Sequence, residues 1–190
     1  MVSDIGGYIA DPLSRKDIRE MAYRFRKIFG LENELDFPIV KVIELLSNNE
    51  VFNLEICTVD EMGTKYGETI PSENLIKLRE DIYDNACEGD GFARSTCAHE
   101  LGHWFIGHNE ETVSFCRKEE DLRKRRAYED PEWQANCFSG ELFVSKHLVE
   151  GMMADEIVKK CGVTHSMAYY QLEKYEEEGW EEWIEKKKTH

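Results

Sequence analysis

The stretch CAHELGHWFIGH, residues 97–108, sets three histidines and a glutamate into an otherwise apolar run. His99 and His103 are four residues apart. On a helix they lie one above the other on the same face, so their ring nitrogens can reach a single ion. Glu100 lies about 100° round the helix from His99. That puts it beside the ion and not on it, where its carboxylate can take a proton from a bound water. The spacing HExxH therefore carries the chemistry of metal-assisted hydrolysis. The competing reading is a core helix whose histidines find backbone partners. Burying two imidazoles and a carboxylate with no charge to organise them is costly, which favours the metal. Cys97, Leu101, Trp104 and Phe105 supply an apolar stripe for such a helix, and Gly102 leaves room beside the metal.

A catalytic zinc takes three protein ligands and keeps one position for water. His108 is the nearest third candidate, but it follows His103 by five residues. The longer string HExxHxxGxxH would need glycine at 106 and histidine at 109, where the chain has Ile106 and Asn109. The better candidate is Glu132, in EWQAN. Glu132, Ala135, Asn136, Ser139 and Leu142 or Phe143 share one helical stripe, and the small Ala135 and Ser139 would let this helix lie close to the first. Asn136, one turn on, can orient a ligand histidine. Glu129, Asp130 and Glu141 are rivals, and Glu132 also reads as a first-turn acid favoured by the helix dipole.

The elements that must position these groups follow from the pattern. Ser14 and Asp17 form a capping box for a helix from Ser14 to Phe29, with Ile18, Met21, Ala22, Phe25, Ile28 and Phe29 on one stripe. Gly30 stops it. A second helix starts at Pro38 and carries Val42, Leu45 and Leu46 inward. In VFNLEICTV (51–59) the alternation of Phe52, Leu54 and Ile56 with Asn53 and Glu55 predicts a half-buried strand. The glycine-containing stretch GTKYGETIP follows, NLIKL (74–78) reads as a second strand, and after the loop ACEGDGF the HExxH helix begins near Ala93. Residues 109–130, with RKEEDLRKRR at 117–126, read as a solvated face or loop. Asp130 and Pro131 then open the Glu132 helix. Beyond Met152 come two helices split near Gly162, and a tail with Trp180, Trp183 and Ile184 on one side. The order of elements gives an α+β fold.

The chain has 190 residues, 41% hydrophobic and 11% aromatic, enough for a core. Its net charge of −15 repels phosphate backbones and anionic lipid, so neither nucleic acid nor membrane is an expected partner. No apolar run is long enough to span a bilayer. The six cysteines are scattered, with no CxxC pair. With no leader pattern at the start, they read as reduced thiols, several in helix cores, which predicts a cytoplasmic protein.

HELGH on one helix, followed about thirty residues later by E-x-x-A-N-x-F-x-x-x-L-F, resembles the ImmA/IrrE family of metallo-endopeptidases. The similarity extends loosely over residues 15–175. It implies a minimal zincin-like domain, placed at 1–150, with a helical extension over 151–190 packed on it. It implies one catalytic Zn²⁺ held by His99, His103 and Glu132, with Glu100 as the general base, and a cytoplasmic helix-turn-helix repressor as substrate. Ser139 stands where the family often has alanine, and Val144 and Ser145 stand where it has a proline. For the oxyanion, Tyr66, Arg94, His108 and Tyr128 are candidates. An extended substrate is expected to pair with an edge strand, that of 74–78. MADEIVKKCGVTHSMAYYQLEKY (153–175) also reads like a helix-turn-helix, with Ile157, Val158, Val163, Met167, Ala168 and Leu172 inward. The rival function is therefore a DNA-binding or protein-binding regulator with a non-catalytic metal site. Its second helix offers only Lys174 as a cation, so phosphate contacts would be scarce.

Overall fold

The computed structural model describes residues 7–108, 113–116 and 126–180. Within them the chain is mixed α+β, as expected. Helix α1 (Arg15–Ile28) starts at the foreseen capping box: Ser14 Oγ accepts from Asp17 N, and Ser14 N donates to the Asp17 carboxylate at 3.0 Å. Ile18, Ala22 and Phe25 are buried as the stripe requires, but Ile28 is 72% exposed. Arg19 and Arg26 take inward positions instead, which apolar periodicity does not anticipate. Helix α2 (Ile39–Asn48) buries Ile39, Val42 and Ile43, while the expected Leu45 faces out.

Strand β1 (Gly7–Ala10) pairs antiparallel with β5 (Val113–Cys116), a ladder the sequence did not suggest. The main sheet has the order β2-β4-β3. Strand β2 (Asn53–Cys57) runs parallel to β4 (Leu75–Arg79), and β3 (Gly67–Ile70) runs antiparallel to it. The short helix α3 (Val59–Met62) leads from β2 towards β3. This corrects the expected docking edge. The strand of 74–78 is central, with both sides paired, so it offers no edge; among the described residues the edge strands are β2 and β3. Burial follows the same logic. Leu75, Ile76 and Leu78 of β4 are covered, whereas Ile56 on the edge strand β2 is exposed.

Helix α4 (Glu80–Cys87), of which the sequence reading assigned only Ala86 and Cys87, to a loop, precedes α5 (Gly91–Ile106), the HExxH helix. Helix α5 packs against α4, β3 and above all α6 (Pro131–Phe143), and α6 in turn packs on α1. The core gathers Ile18, Phe25, Phe37, Ile76, Leu101, Phe138 and Phe143 among others. Of the charged run at 117–126, residues 117–125 lie outside the described residues, as do Trp183 and Ile184 of the tail.

The chain closes with α7 (Lys146–Val149), α8 (Ala154–Cys161) and α9 (His165–Glu178), α8 ending at Gly162 in the left-handed region (φ +62°). Ile157, Val163 and Ala168 are buried, as the helix-turn-helix reading expected, while Val158, Met167 and Leu172 are partly covered; Cys161 is buried beside them. Helix α9 is fastened by charge. Glu141 of α6 accepts from Arg15 Nη1 at 2.8 Å, Arg19 Nε at 2.8 Å and the Tyr175 hydroxyl at 2.8 Å. Arg19 Nη1 also meets Glu178 at 2.6 Å. No helix among the described residues is long and apolar enough to cross a membrane.

Candidate metal centre

The Asp90 side chain caps α5, accepting from Ala93 N at 2.8 Å, and Gly107 ends it in the left-handed region (φ +82°). Cys97, Ala98 and Leu101 face the core, which turns His99 and His103 to the opposite side. Asp130 caps α6, accepting from Glu132 N at 3.0 Å, with Pro131 at its first helical position. Helices α5 and α6 then meet closely. A Cβ added at Gly102 would lie 3.3 Å from both Cα and O of Ala135 and 3.1 Å from a Phe138 ring carbon. Gly102 thus serves the helix crossing and not, as its sequence position suggested, free space beside a metal. That crossing aims Glu132 at the two histidines.

His99 Nε2 and His103 Nε2 stand 3.0 Å apart, and the Glu132 oxygens lie 3.2 Å and 3.4 Å from them. Among the described residues this is the group of histidine and carboxylate side chains able to share an ion, with ligand atoms all within 4.8 Å of one another. Glu129, Asp130 and Glu141 are engaged elsewhere: Glu129 accepts from Arg126 N, Asp130 caps α6, and Glu141 sits in the arginine network.

The donor set suits a cation. His99 Nδ1 lies 3.0 Å from Asn136 Oδ1, the second-helix partner read from the sequence. An amide oxygen only accepts, so Nδ1 carries the proton and Nε2 presents a bare lone pair. Around a tetrahedral zinc with bonds of about 2.0–2.1 Å, ligand atoms sit roughly 3.3 Å apart. The observed 3.0–3.4 Å matches that spacing. The electrostatics agree. The adjoining His103 and His99 imidazoles hold the Glu132 carboxyl well below the usual carboxylate range, against its partial burial. Burial disfavours the charged form of His99, but the neighbouring Glu132 and Glu100 carboxylates outweigh it and raise its pKa, so the cluster as a whole favours added positive charge.

Glu100 stands apart from the cluster, as its place on the helix requires. Thr69 Oγ1 of β3 lies 2.8 Å from Glu100 Oε2 and 2.9 Å from its backbone oxygen. The carboxyl presses on Gly67, where an added Cβ would be 2.6 Å from Glu100 Cγ and 2.8 Å from Oε1. Burial raises its pKa, partly opposed by the Thr69 hydrogen bond and by His99 and His103.

The remaining sequence candidates scatter. Arg94 is buried on Asp36 and on the Phe37 carbonyl, on the far side of α5 from the histidines. The Tyr128 hydroxyl accepts from Arg126, while its carbonyl accepts from Leu13 N and Gln134. His108 is no third ligand: its Nδ1 lies 2.9 Å from His103 Nδ1, at the nitrogen turned away from the cluster. Burial pushes the His108 imidazole down to about 4, so it is neutral at neutral pH. Tyr66 is half-exposed beside Gly67, packed edge-on to Phe92 at 5.3 Å. Thr69, Gly67 and Gln134 were missed in the sequence. The first two sit on β3, whose four residues GETI are flanked by turn-forming neighbours; Gln134 carries no periodic signal.

The family model described as the IrrE N-terminal-like domain, Peptidase M78, matches residues 53–172. The chain belongs to this family. The match spans both α5 and α6 and bears out the resemblance carried by HELGH and ExxANxF. Membership supports a metallopeptidase role and, with the His-His-Glu cluster, a metal ion. Among solved structures, a Mycobacterium tuberculosis transcriptional regulator is similar in fold, with TM-score 0.53 and 13% identity. That likeness covers 83% of this chain, which spans 46% of the regulator's length. No curated protein matches.

Proposed function

We propose that this family member is a zinc-dependent endopeptidase that cleaves a cytoplasmic regulatory protein, of the helix-turn-helix repressor class, to release gene expression. The observation that carries the reading is the convergence of three Lewis-basic atoms from two helices with a separate carboxyl held next to them. His99 and His103 from α5 and Glu132 from α6 would hold the ion. A zinc ion held by these three residues would supply Lewis acidity, lowering the pKa of a bound water and polarising a carbonyl. Glu100 accepts the proton of that water and hands it to the departing amine. Thr69 and Gly67 fix where the Glu100 carboxyl stands while it does so. An extended peptide would lie along the free edge of β3, the strand that already touches Glu100. Tyr66, next to Gly67 in the chain and half-exposed, is the hydroxyl proposed to meet the oxyanion.

The substrate class rests on the family resemblance, and the charge of −15 favours a basic protein partner. A direct DNA-binding role for α8 and α9 draws less support. Helix α9 buries Ala168, Gln171 and Tyr175 against the body, and its exposed face carries many acids.

The test is co-incubation with helix-turn-helix repressors from the same genome, with and without a chelator, read by mass spectrometry of the fragments. Chelator-sensitive cleavage that Glu100→Gln abolishes while keeping its zinc supports the proposal. Cleavage insensitive to chelator, or full zinc content in both His99→Ala and Glu132→Ala, refutes it.

A further inference from the structure

The left-handed Gly107 folds the chain back so that His108 N donates to His103 O at 3.1 Å, and the His108 imidazole comes to lie against that of His103. Their Nδ1 atoms are 2.9 Å apart. Two nitrogens at that distance share one proton, and the other end of the chain of contacts decides which holds it. His108 Nε2 lies 2.6 Å from Gln134 Oε1. Gln134 is fully buried, and its amide nitrogen donates to Asp11 O and Tyr128 O, both at 2.8 Å. Backbone carbonyls only accept. The amide therefore cannot flip without setting its oxygen against two others, and its Oε1 must face His108 as an acceptor.

The consequence runs inward one bond at a time. His108 Nε2 carries the proton, so the neutral ring offers a bare Nδ1. His103 Nδ1–H donates to it. His103 Nε2 is then left bare, on the side where His99 Nε2 and Glu132 converge. The usual partner of a ligand histidine is a carboxylate or a backbone carbonyl. Here a second histidine takes that place, oriented by a buried amide that is itself clamped between the segment after β1 and the turn before α6.

We propose that His108 and Gln134 are positioning residues that hold His103 in the tautomer with a free Nε2, and so raise the affinity of the site for zinc. This rests on the ligand set proposed above. Among the described residues the Nδ1 partners of His103 and His99 are His108 and Asn136, so the contacts that set the two tautomers are neutral groups.

Two measurements test it. Nitrogen-15 NMR of the imidazoles in the zinc-loaded full chain is expected to find His108 protonated at Nε2 and His103 protonated at Nδ1. Finding His108 protonated at Nδ1 instead overturns the proposal, and this reading needs no variant to fold. Zinc affinity, measured by competition with a chromogenic chelator, is expected to fall about 10–100-fold in His108→Leu. It should return towards the parent value in His108→Gln, whose amide oxygen can accept from His103 Nδ1–H. Unchanged affinity in His108→Leu, with His99→Ala losing its zinc, overturns the relay and leaves the ligand set standing. Unchanged affinity in His99→Ala overturns both.

Discussion

Glu100 is held by contact on three sides: the Thr69 hydroxyl, the Gly67 backbone and its own helix. The close approach to Gly67 makes that glycine a requirement of the site. Gly67→Ala would put a methyl group within 2.6–2.9 Å of the Glu100 side chain and displace it. The ion's ligands are untouched by this change. The expected result is a sharp drop in turnover with zinc content unchanged, read by peptide cleavage and atomic absorption. Glu100→Gln sets the scale, since removing a positioned general base costs about 10²–10⁴-fold. A Gly67→Ala enzyme as active as the parent would mean that the carboxyl does not work from this position.

The crossing of α5 and α6 sets the separation between the histidines and Glu132. Gly102 admits α6 to within van der Waals contact of its backbone. Gly102→Val should therefore push Glu132 away from the histidines, weakening zinc binding and costing about 1–3 kcal/mol of stability by overpacking, measurable in urea melts. Helix α9 is joined differently. Burial raises the Glu178 pKa, but the Arg19 hydrogen bond and the charges of Arg19, Lys146 and Arg15 outweigh it, so the net shift is down from 4.5. A carboxyl depressed in the folded state stabilises the fold above its unfolded pKa and loses that contribution as pH falls through the depressed value. Thermal melts should thus show Glu178→Gln with a shallower loss of stability below about pH 4.5 than the parent. At this scale the sequence was legible where periodicity and caps agree. Helix α1, the strand read at 74–78 and the helices that carry the histidines and Glu132 were read correctly, and so was the contact of Asn136 with His99. It was illegible where tertiary pairing decides. Strand β3 is four residues long and exists because β4 offers it an edge. The central place of β4 depends on partners remote in sequence. Leu45 and Ile56 are apolar residues in the right phase that the fold leaves uncovered.

Across the whole molecule, one buried charge group binds the first helix, the ligand helix α6 and the last described helix. Glu141 accepts from Arg15, Arg19 and Tyr175 with almost no exposure to solvent. Removing the acid takes from Arg15 the carboxylate it meets and leaves Arg19 with Glu178. Glu141→Ala should cost about 3–5 kcal/mol, lowering the urea midpoint of the full chain without directly removing a metal ligand. Together these elements would hold the proposed ion. Crystals grown with one equivalent of zinc and measured at the zinc absorption edge test it most directly. The account predicts a single anomalous peak about 2.0–2.2 Å from His99 Nε2, His103 Nε2 and a Glu132 oxygen. A peak at other residues, or imidazoles turned apart with no peak between them, would contradict it.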